Sequence, residues 1–249
     1  MKKKIDINCD MGESIDFLLS GHDEKLMSYI TSVNIACGFH AGNEEIMIKT
    51  VENAQKYKLN IGAHPSFDDK ENFGRNEMDL AFEEIKELIS KQLNILDKEL
   101  KAKDLIMHHV KPHGALYNMS AKNFEYARGI AEAVFEFNNE LILYGLSGSL
   151  SISEAKKIGL KTYDECFSDR SYMSDGSLSH RSLENALKVD VEEVKKQTRS
   201  LVDGSAFSTL DGNFIKINCD TICIHSDTPN ALEFAKAIYD IAKKYYFIN

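Results

Sequence analysis

No stretch of about 18 apolar residues occurs anywhere in this chain, so no segment reads as a membrane span. The basic start, Met1 to Lys4, is followed by Asp6, Asn8 and Asp10 rather than by an apolar signal core. The expectation is a cytoplasmic protein. Positive charge is scarce as well: 30 Lys and Arg face 39 Asp and Glu, for a formal net charge of −9. Nucleic acid and anionic membrane both want clustered Lys and Arg, so neither is expected as a partner. A small anionic ligand stays open, because a local cationic pocket can sit inside an acidic protein. Only three prolines are present, none in a Pro-rich spacer, and no low-complexity segment or linker appears. One domain over 1–249 is expected. The five cysteines, an odd number lying mostly in apolar strand-like runs, read as reduced core residues. Neither G-x-x-x-x-G-K-[ST] nor G-x-G-x-x-G occurs, so the familiar nucleotide motifs are missing.

What is present is a regular alternation. Short apolar runs at Ile5–Asp10, Val33–His40, Asn60–His64, Leu105–His109, Leu141–Gly145, Lys161–Cys166 and Thr221–His225 are separated by segments of helical period. The clearest helix is Glu83–Lys101, with Ile85, Leu88, Ile89, Leu93, Leu96 and Leu100 on one face. Asn43–Lys58 and Thr228–Tyr245 follow the same pattern. Alternation of this kind predicts parallel strands with crossover helices. One excursion is expected before the last strand, where Asp211-Gly212 between Ala206–Leu210 and Asn213–Ile217 signals a hairpin.

In a parallel barrel, functional side chains gather at the carboxyl ends of the strands. Here all of those ends but one are polar. Asp10, with Glu13 beyond it, His40, His64, the HVKPH segment at 109–113, Glu165 with Asp169-Arg170, and His225-Ser-Asp227 all fall there. Side-chain parity puts Asp6, Asn8 and Asp10 on one face, and His109, Lys111 and His113 on one face if that strand extends. Asp6, deep in its strand, reads as a structural hydrogen-bonding partner, while His22 and His180 read as solvent-facing loop residues. The set His40, His64, His113 and His225 reads as functional. Gly145-Leu-Ser-Gly-Ser149, at a strand–helix junction, offers backbone N–H groups suited to phosphate or carboxylate.

The segments DINCDMGES at 6–14, ITSVNIACGFHAGN at 30–43, IGAHPSFDD at 61–69, FGR at 73–75, HVKPHGALYN at 109–118, YGLSGS at 144–149, ECFSDRSY at 165–172 and CIHSDTP at 223–229 resemble, in order, the LamB/YcsF family of 5-oxoprolinase A subunits. Ser226, Asn76 and Leu183-Glu184-Asn185 depart from the usual pattern but leave every charged group and imidazole in place. The resemblance implies a seven-stranded, distorted β/α barrel like that of glycoside hydrolases and deacetylases. It implies a role in ATP-dependent opening of 5-oxoproline to glutamate with two partner subunits, B and C, and it leaves self-association open.

Under that reading the catalytic candidates are Asp10 and Glu13 as base, His40 and His113 as acid, and Lys111 as cationic clamp. Asn34, His64, Arg75, Tyr117, Gly145, Ser149 and Arg170 are candidates for binding substrate or phosphate. ATP is the expected cofactor, with a divalent cation of the Mg²⁺ type on Asp10 and Asp227. Two other readings stay open: a zinc-dependent deacetylase using Asp10, His40 and His64, and a non-catalytic protein that only binds 5-oxoproline for its partners.

Overall fold

Seven parallel strands close into a barrel: β1 (Asp6–Met11), β2 (Ser32–Ala36), β3 (Asn60–His64), β4 (His109–Val110), β5 (Ile142–Leu146), β6 (Lys161–Phe167) and, last in the chain, β9 (Thr221–Ile224), which pairs with both β6 and β1. The computed structural model describes residues 5–226, 228 and 230–245. The seven-stranded α/β barrel is as expected. The hairpin is also present, as β7 (Phe207–Ser208) paired antiparallel with β8 (Phe214–Ile215). Among the described residues no helix is long and apolar enough to cross a membrane.

The core lies between the barrel and its helices. On β1 the outward residues Ile7, Cys9 and Met11 are buried in it, while Asp6, Asn8 and Asp10 point into the barrel. Helix α4 (Phe82–Lys101) covers the barrel with the stripe Ile85, Ile89, Leu93, Leu96 and Leu100, all fully buried. Burying one such side chain is worth roughly 1.5–3 kcal/mol, so this stripe anchors the helix. The α4 start is fixed by the Glu84 carboxylate accepting from the Ala81 N–H at 2.7 Å. Asn43 caps α3 (Glu44–Lys56) by accepting from the Ile46 N–H at 2.9 Å. All five cysteines are buried and free.

The barrel interior is polar rather than apolar. At its lower end Asp6 accepts from Thr31 at 2.6 Å, Ser32 at 2.5 Å and Thr221 at 2.5 Å, the structural role expected of it. One layer up, His109 stacks on Tyr144 at 4.1 Å and donates from Nε2 to Asn34 Oδ1 at 2.7 Å. Gly62 makes room for that ring, since a Cβ there would lie 2.3 Å from it. The next layer holds Asn8, Glu165 and Lys111. Buried polar groups are tolerated when paired, and most of this stack is paired by ties between strands far apart in sequence, Glu165 Oε2 excepted.

Three expectations need correction. The second strand ends at Ala36, not His40, because the chain turns at Gly38 with φ +88°. The fourth starts at His109, not Leu105: after α4 the chain turns at Asp104, φ +55°, and only His109 and Val110 enter the ladder. His22 is not in a loop. It opens α2 (His22–Met27), is half-buried, packs against the Phe17 ring at 4.8 Å with the rings tilted by 39°, and meets the Ser226 carbonyl at 2.9 Å.

Candidate functional site

One strand end and three loops at the carboxyl end of the barrel bring a carboxylate and three imidazoles together. Glu13 follows β1, His40 lies beyond β2, His64 ends β3 and His113 follows β4. One ligand-capable atom of each lies within 4.8 Å of those of the others. His40 Nε2 is 3.0 Å from Glu13 Oε1. His113 Nδ1 is 3.0 Å from His64 Nε2 and 3.5 Å from Glu13 Oε1. His64 Nε2 is also 3.3 Å from Asp10 Oδ2. The His40 and His113 rings stack at 3.8 Å, 7° from parallel. Gly74 of the FGR segment backs this stack with φ +64°, and a Cβ there would come within 2.9 Å of His40.

Two of the rings are locked by main-chain carbonyls. His64 Nδ1 lies 2.7 Å from the Lys111 carbonyl, and His113 Nε2 lies 2.9 Å from the Phe73 carbonyl. A carbonyl only accepts, so each of these nitrogens carries the hydrogen. Burial drives the imidazole of His40 down to about 2 and that of His113 to about 3, reinforced by His64. Both are therefore neutral at ordinary pH.

Beneath the imidazoles sits a buried ion network. Lys111 Nζ lies 2.9 Å from Asp10 Oδ1, 2.9 Å from Glu165 Oε1, 3.2 Å from Asn8 Oδ1 and 3.1 Å from Cys223 Sγ. Burial alone would lower the Lys111 pKa, but Asp10, Cys223 and Glu165 together hold it well above the usual ammonium range. Burial would raise Asp10, yet His64 and Lys111 hold it well below the usual carboxylate range. Asn34 donates to Asp10 Oδ1 at 2.7 Å and to Asn8 Oδ1 at 2.8 Å. Asp10 is thus an ionised carboxylate with one oxygen held by Lys111 and Asn34 and the other facing His64.

The structure therefore unites Asp10, Glu13, Asn34, His40, His64, Lys111 and His113, as expected. It does not unite everything. His225 sits apart from the three imidazoles and pairs with Asp169 Oδ2 at 2.7 Å. Arg170 is buried, its Nη2 donating to the Ser179 carbonyl at 2.7 Å. Arg75 is exposed, over the Phe73 ring at 5.0 Å. Tyr117 is buried near the Glu165 carboxylate, short of hydrogen-bonding geometry; burial and that charge raise its pKa. Asp227 lies outside the described residues.

The anion cradle expected at Gly145–Ser149 is corrected. Its amides are already spent: Ser147 N–H on the Glu165 carbonyl at 3.1 Å, Gly148 N–H on Asp164 Oδ1 at 3.2 Å, and Ser149 N–H on the Leu146 carbonyl at 3.1 Å. A carboxylate at the loop also repels phosphate. Lys111 is corrected too, since an ammonium with a full shell of buried partners is no free clamp.

Four residues of the site are not among the catalytic or binding candidates read from the sequence. Glu165, Asn8, His109 and Cys223 complete the network under Asp10. Strand parity is the signal that could find them, because the barrel registers pair Glu165 with Thr221 and Asn8 with Cys223.

The Asp169–His225 pair makes a pH prediction. Burial pushes His225 down, but the charge and hydrogen bond of Asp169 outweigh it and raise the pKa; Asp169 is lowered in return against its own burial. The raised His pKa gives stability that is full below the unfolded value of about 6.5 and lost as pH rises through the folded value. The depressed Asp pKa gives stability present above about 3.9 and lost as pH falls through the folded value. His225→Gln should cost roughly 1.5–3 kcal/mol at pH 5.5, the worth of a hydrogen bond to a charged group, and clearly less at pH 9. Urea denaturation at the two pH values reads this, and a cost independent of pH contradicts it.

Comparison with known proteins follows the same segments. The LamB/YcsF family model matches residues 5–246. The A subunit of 5-oxoprolinase from Brevibacillus brevis is 46% identical over 236 residues, 95% of this chain and 93% of that protein. The crystal structure of a lactam utilization protein from Thermus thermophilus superposes with a TM-score of 0.89 at 39% identity, covering 97% of this chain and 96% of that one. A catalytic module of a pneumococcal exo-β-D-N-acetylglucosaminidase, 12% identical with a TM-score of 0.53 over 100% of this chain and 86% of that one, shares the fold alone.

Proposed function

The chain belongs to the LamB/YcsF family, and on that premise we propose that it is the A subunit of a cytoplasmic 5-oxoprolinase, opening the lactam of 5-oxoproline to glutamate. The observation that carries the reading is the 46% identity, over nearly the whole chain, to a protein of that name. The site suits the reaction. Water attacks the lactam carbonyl carbon, the C–N bond breaks, and the ring nitrogen leaves with a proton as the amine of glutamate. Such a step needs a base beside the water and an acid beside the nitrogen. Glu13 and the ionised Asp10 supply the first. The imidazole of His40 stands next to them to relay a proton.

An unstrained five-membered lactam favours its closed form, so net opening is coupled to ATP in this reading. The groups of this chain expected to hold that nucleotide are engaged elsewhere: the 147–149 amides are hydrogen-bonded and Lys111 is enclosed. The phosphoryl chemistry is assigned to the partner subunits B and C, with Mg²⁺ accompanying the nucleotide there.

The chain alone, given 5-oxoproline, ATP and Mg²⁺, should form no glutamate; with its matched B and C subunits it should form glutamate and ADP together. Coupled assays of both products test this. Robust turnover by the lone chain, or none by the assembled three, overturns the proposal.

A further inference from the structure

The cluster at the barrel mouth gathers donor atoms suited to a metal ion. His64 donates from Nδ1 to the Lys111 carbonyl, so its Nε2 is the ring atom turned toward the cluster. His113 donates from Nε2 to the Phe73 carbonyl, so its Nδ1 is turned there too. These two nitrogens face each other at 3.0 Å. Glu13 Oε1, also an acceptor, lies 3.5 Å from one and 3.9 Å from the other. Two imidazole nitrogens and one carboxylate oxygen thus converge, and with both rings neutral no hydrogen lies between them, a donor set suited to a cation.

The distances fit a metal. Ligands of a tetrahedral ion with bonds of about 2.0–2.1 Å stand roughly 3.3–3.5 Å apart, and 3.0, 3.5 and 3.9 Å bracket that value. A metal-binding His typically gives its other N–H to a carbonyl or carboxylate, which fixes the ring and its tautomer; both rings here do so. His40 takes a different part. Its ring lies parallel to His113 at 3.8 Å, so an ion in the plane of His113 is out of the plane of His40. Its Nε2 instead meets the Glu13 carboxylate at 3.0 Å and orients it. Asp10 has Oδ1 on Lys111 and Asn34; its Oδ2, 3.3 Å from His64 Nε2, borders the cluster beside the three converging atoms.

We propose that Glu13, His64 and His113 bind a divalent transition-metal ion of the zinc type, with His40 holding Glu13 in place and a fourth position open beside Asp10. Two imidazoles and one carboxylate form the ligand class of a hydrolytic zinc site with an open position. The proposal concerns the site of the lactam reading but rests on ligand geometry alone. It also replaces the Asp10–His40–His64 set expected from sequence.

The test is Zn²⁺ titration of the chain, stripped with a chelator and dialysed, by isothermal calorimetry. One ion per chain is expected. His64→Ala and His113→Ala should each weaken binding by more than about 10²-fold, and His40→Ala by about 10–100-fold, as for an outer-shell partner. His180→Ala, at an exposed histidine elsewhere, should bind like wild type. Circular dichroism checks that the variants fold. Should they not fold, Co²⁺ added to the wild-type chain decides: visible ligand-field bands of a four-coordinate ion support the site, and their absence overturns it. A wild-type chain that takes up neither ion, or a folded His64→Ala, His113→Ala double variant that binds as well as wild type, also overturns it. Loss of glutamate formation with metal binding intact would sink the lactam reading instead.

Discussion

Lys111→Met should lower the stability of the chain by about 3–5 kcal/mol, the usual cost of removing one partner from a buried charge network. Lys111 is the cation between Asp10 and Glu165, at 2.9 Å from each, and it also serves Asn8 and Cys223. Methionine matches the length of the stem but leaves two carboxylates without their counter-charge, one of them fully buried. Coulomb repulsion between them then adds to their desolvation. Urea denaturation at pH 7 measures the loss. Glu165→Gln removes one of the two carboxylates, so the Lys111→Met, Glu165→Gln double variant should fall short of the sum of the singles by about 0.5–3 kcal/mol. An additive double variant, or a Lys111→Met chain as stable as wild type, would show that the network does not act as a unit. Activity should be lost as well, so only the stability readings distinguish this from a free catalytic clamp.

The case of Lys111 shows what the sequence discloses and what it withholds. Parity along a strand is local, and Asp6, Asn8 and Asp10 alternating with Ile5, Ile7 and Cys9 reveal an inward polar face directly. The imidazoles of His40, His64 and His113 can be grouped because each stands at or just past the end of a strand. What each side chain meets across the barrel is not local. Glu165 reaches Lys111 from 54 positions away in the chain, so the sequence shows a lysine at a strand end and not that two carboxylates enclose it. The glycine loop after β5 fails for the same reason: Asp164, on the neighbouring strand, takes the Gly148 amide. His225 looks like a fourth member of the imidazole set until Asp169 claims it. The barrel itself is legible because it needs only the alternation of runs and helices. The fourth strand is misplaced because its two ladder residues are too few to set a boundary.

Asp10→Asn in the complex with its partner subunits should cut glutamate formation by about 10²–10⁴-fold, the typical loss when a positioned base is removed, while the fold survives. The geometry makes the substitution unusually clean. Asp10 Oδ1 accepts from Asn34 at 2.7 Å and from Lys111 at 2.9 Å, and an asparagine oxygen accepts both. The amide nitrogen then takes the place of Oδ2, 3.3 Å from His64 Nε2. No cavity opens, and both hydrogen bonds to Oδ1 are kept. Lys111 keeps Glu165 as its counter-charge. What disappears is the negative charge and the proton acceptor next to the imidazoles. The stability cost should therefore be small beside that of Lys111→Met, even as the rate falls by orders of magnitude. Glutamate release, with circular dichroism and urea denaturation of the same preparation, reads both quantities. Near-normal turnover by Asp10→Asn would assign Asp10 to the structural network and leave Glu13 as the base; a large stability loss would mean that its charge, not its hydrogen bonds, holds Lys111 in place.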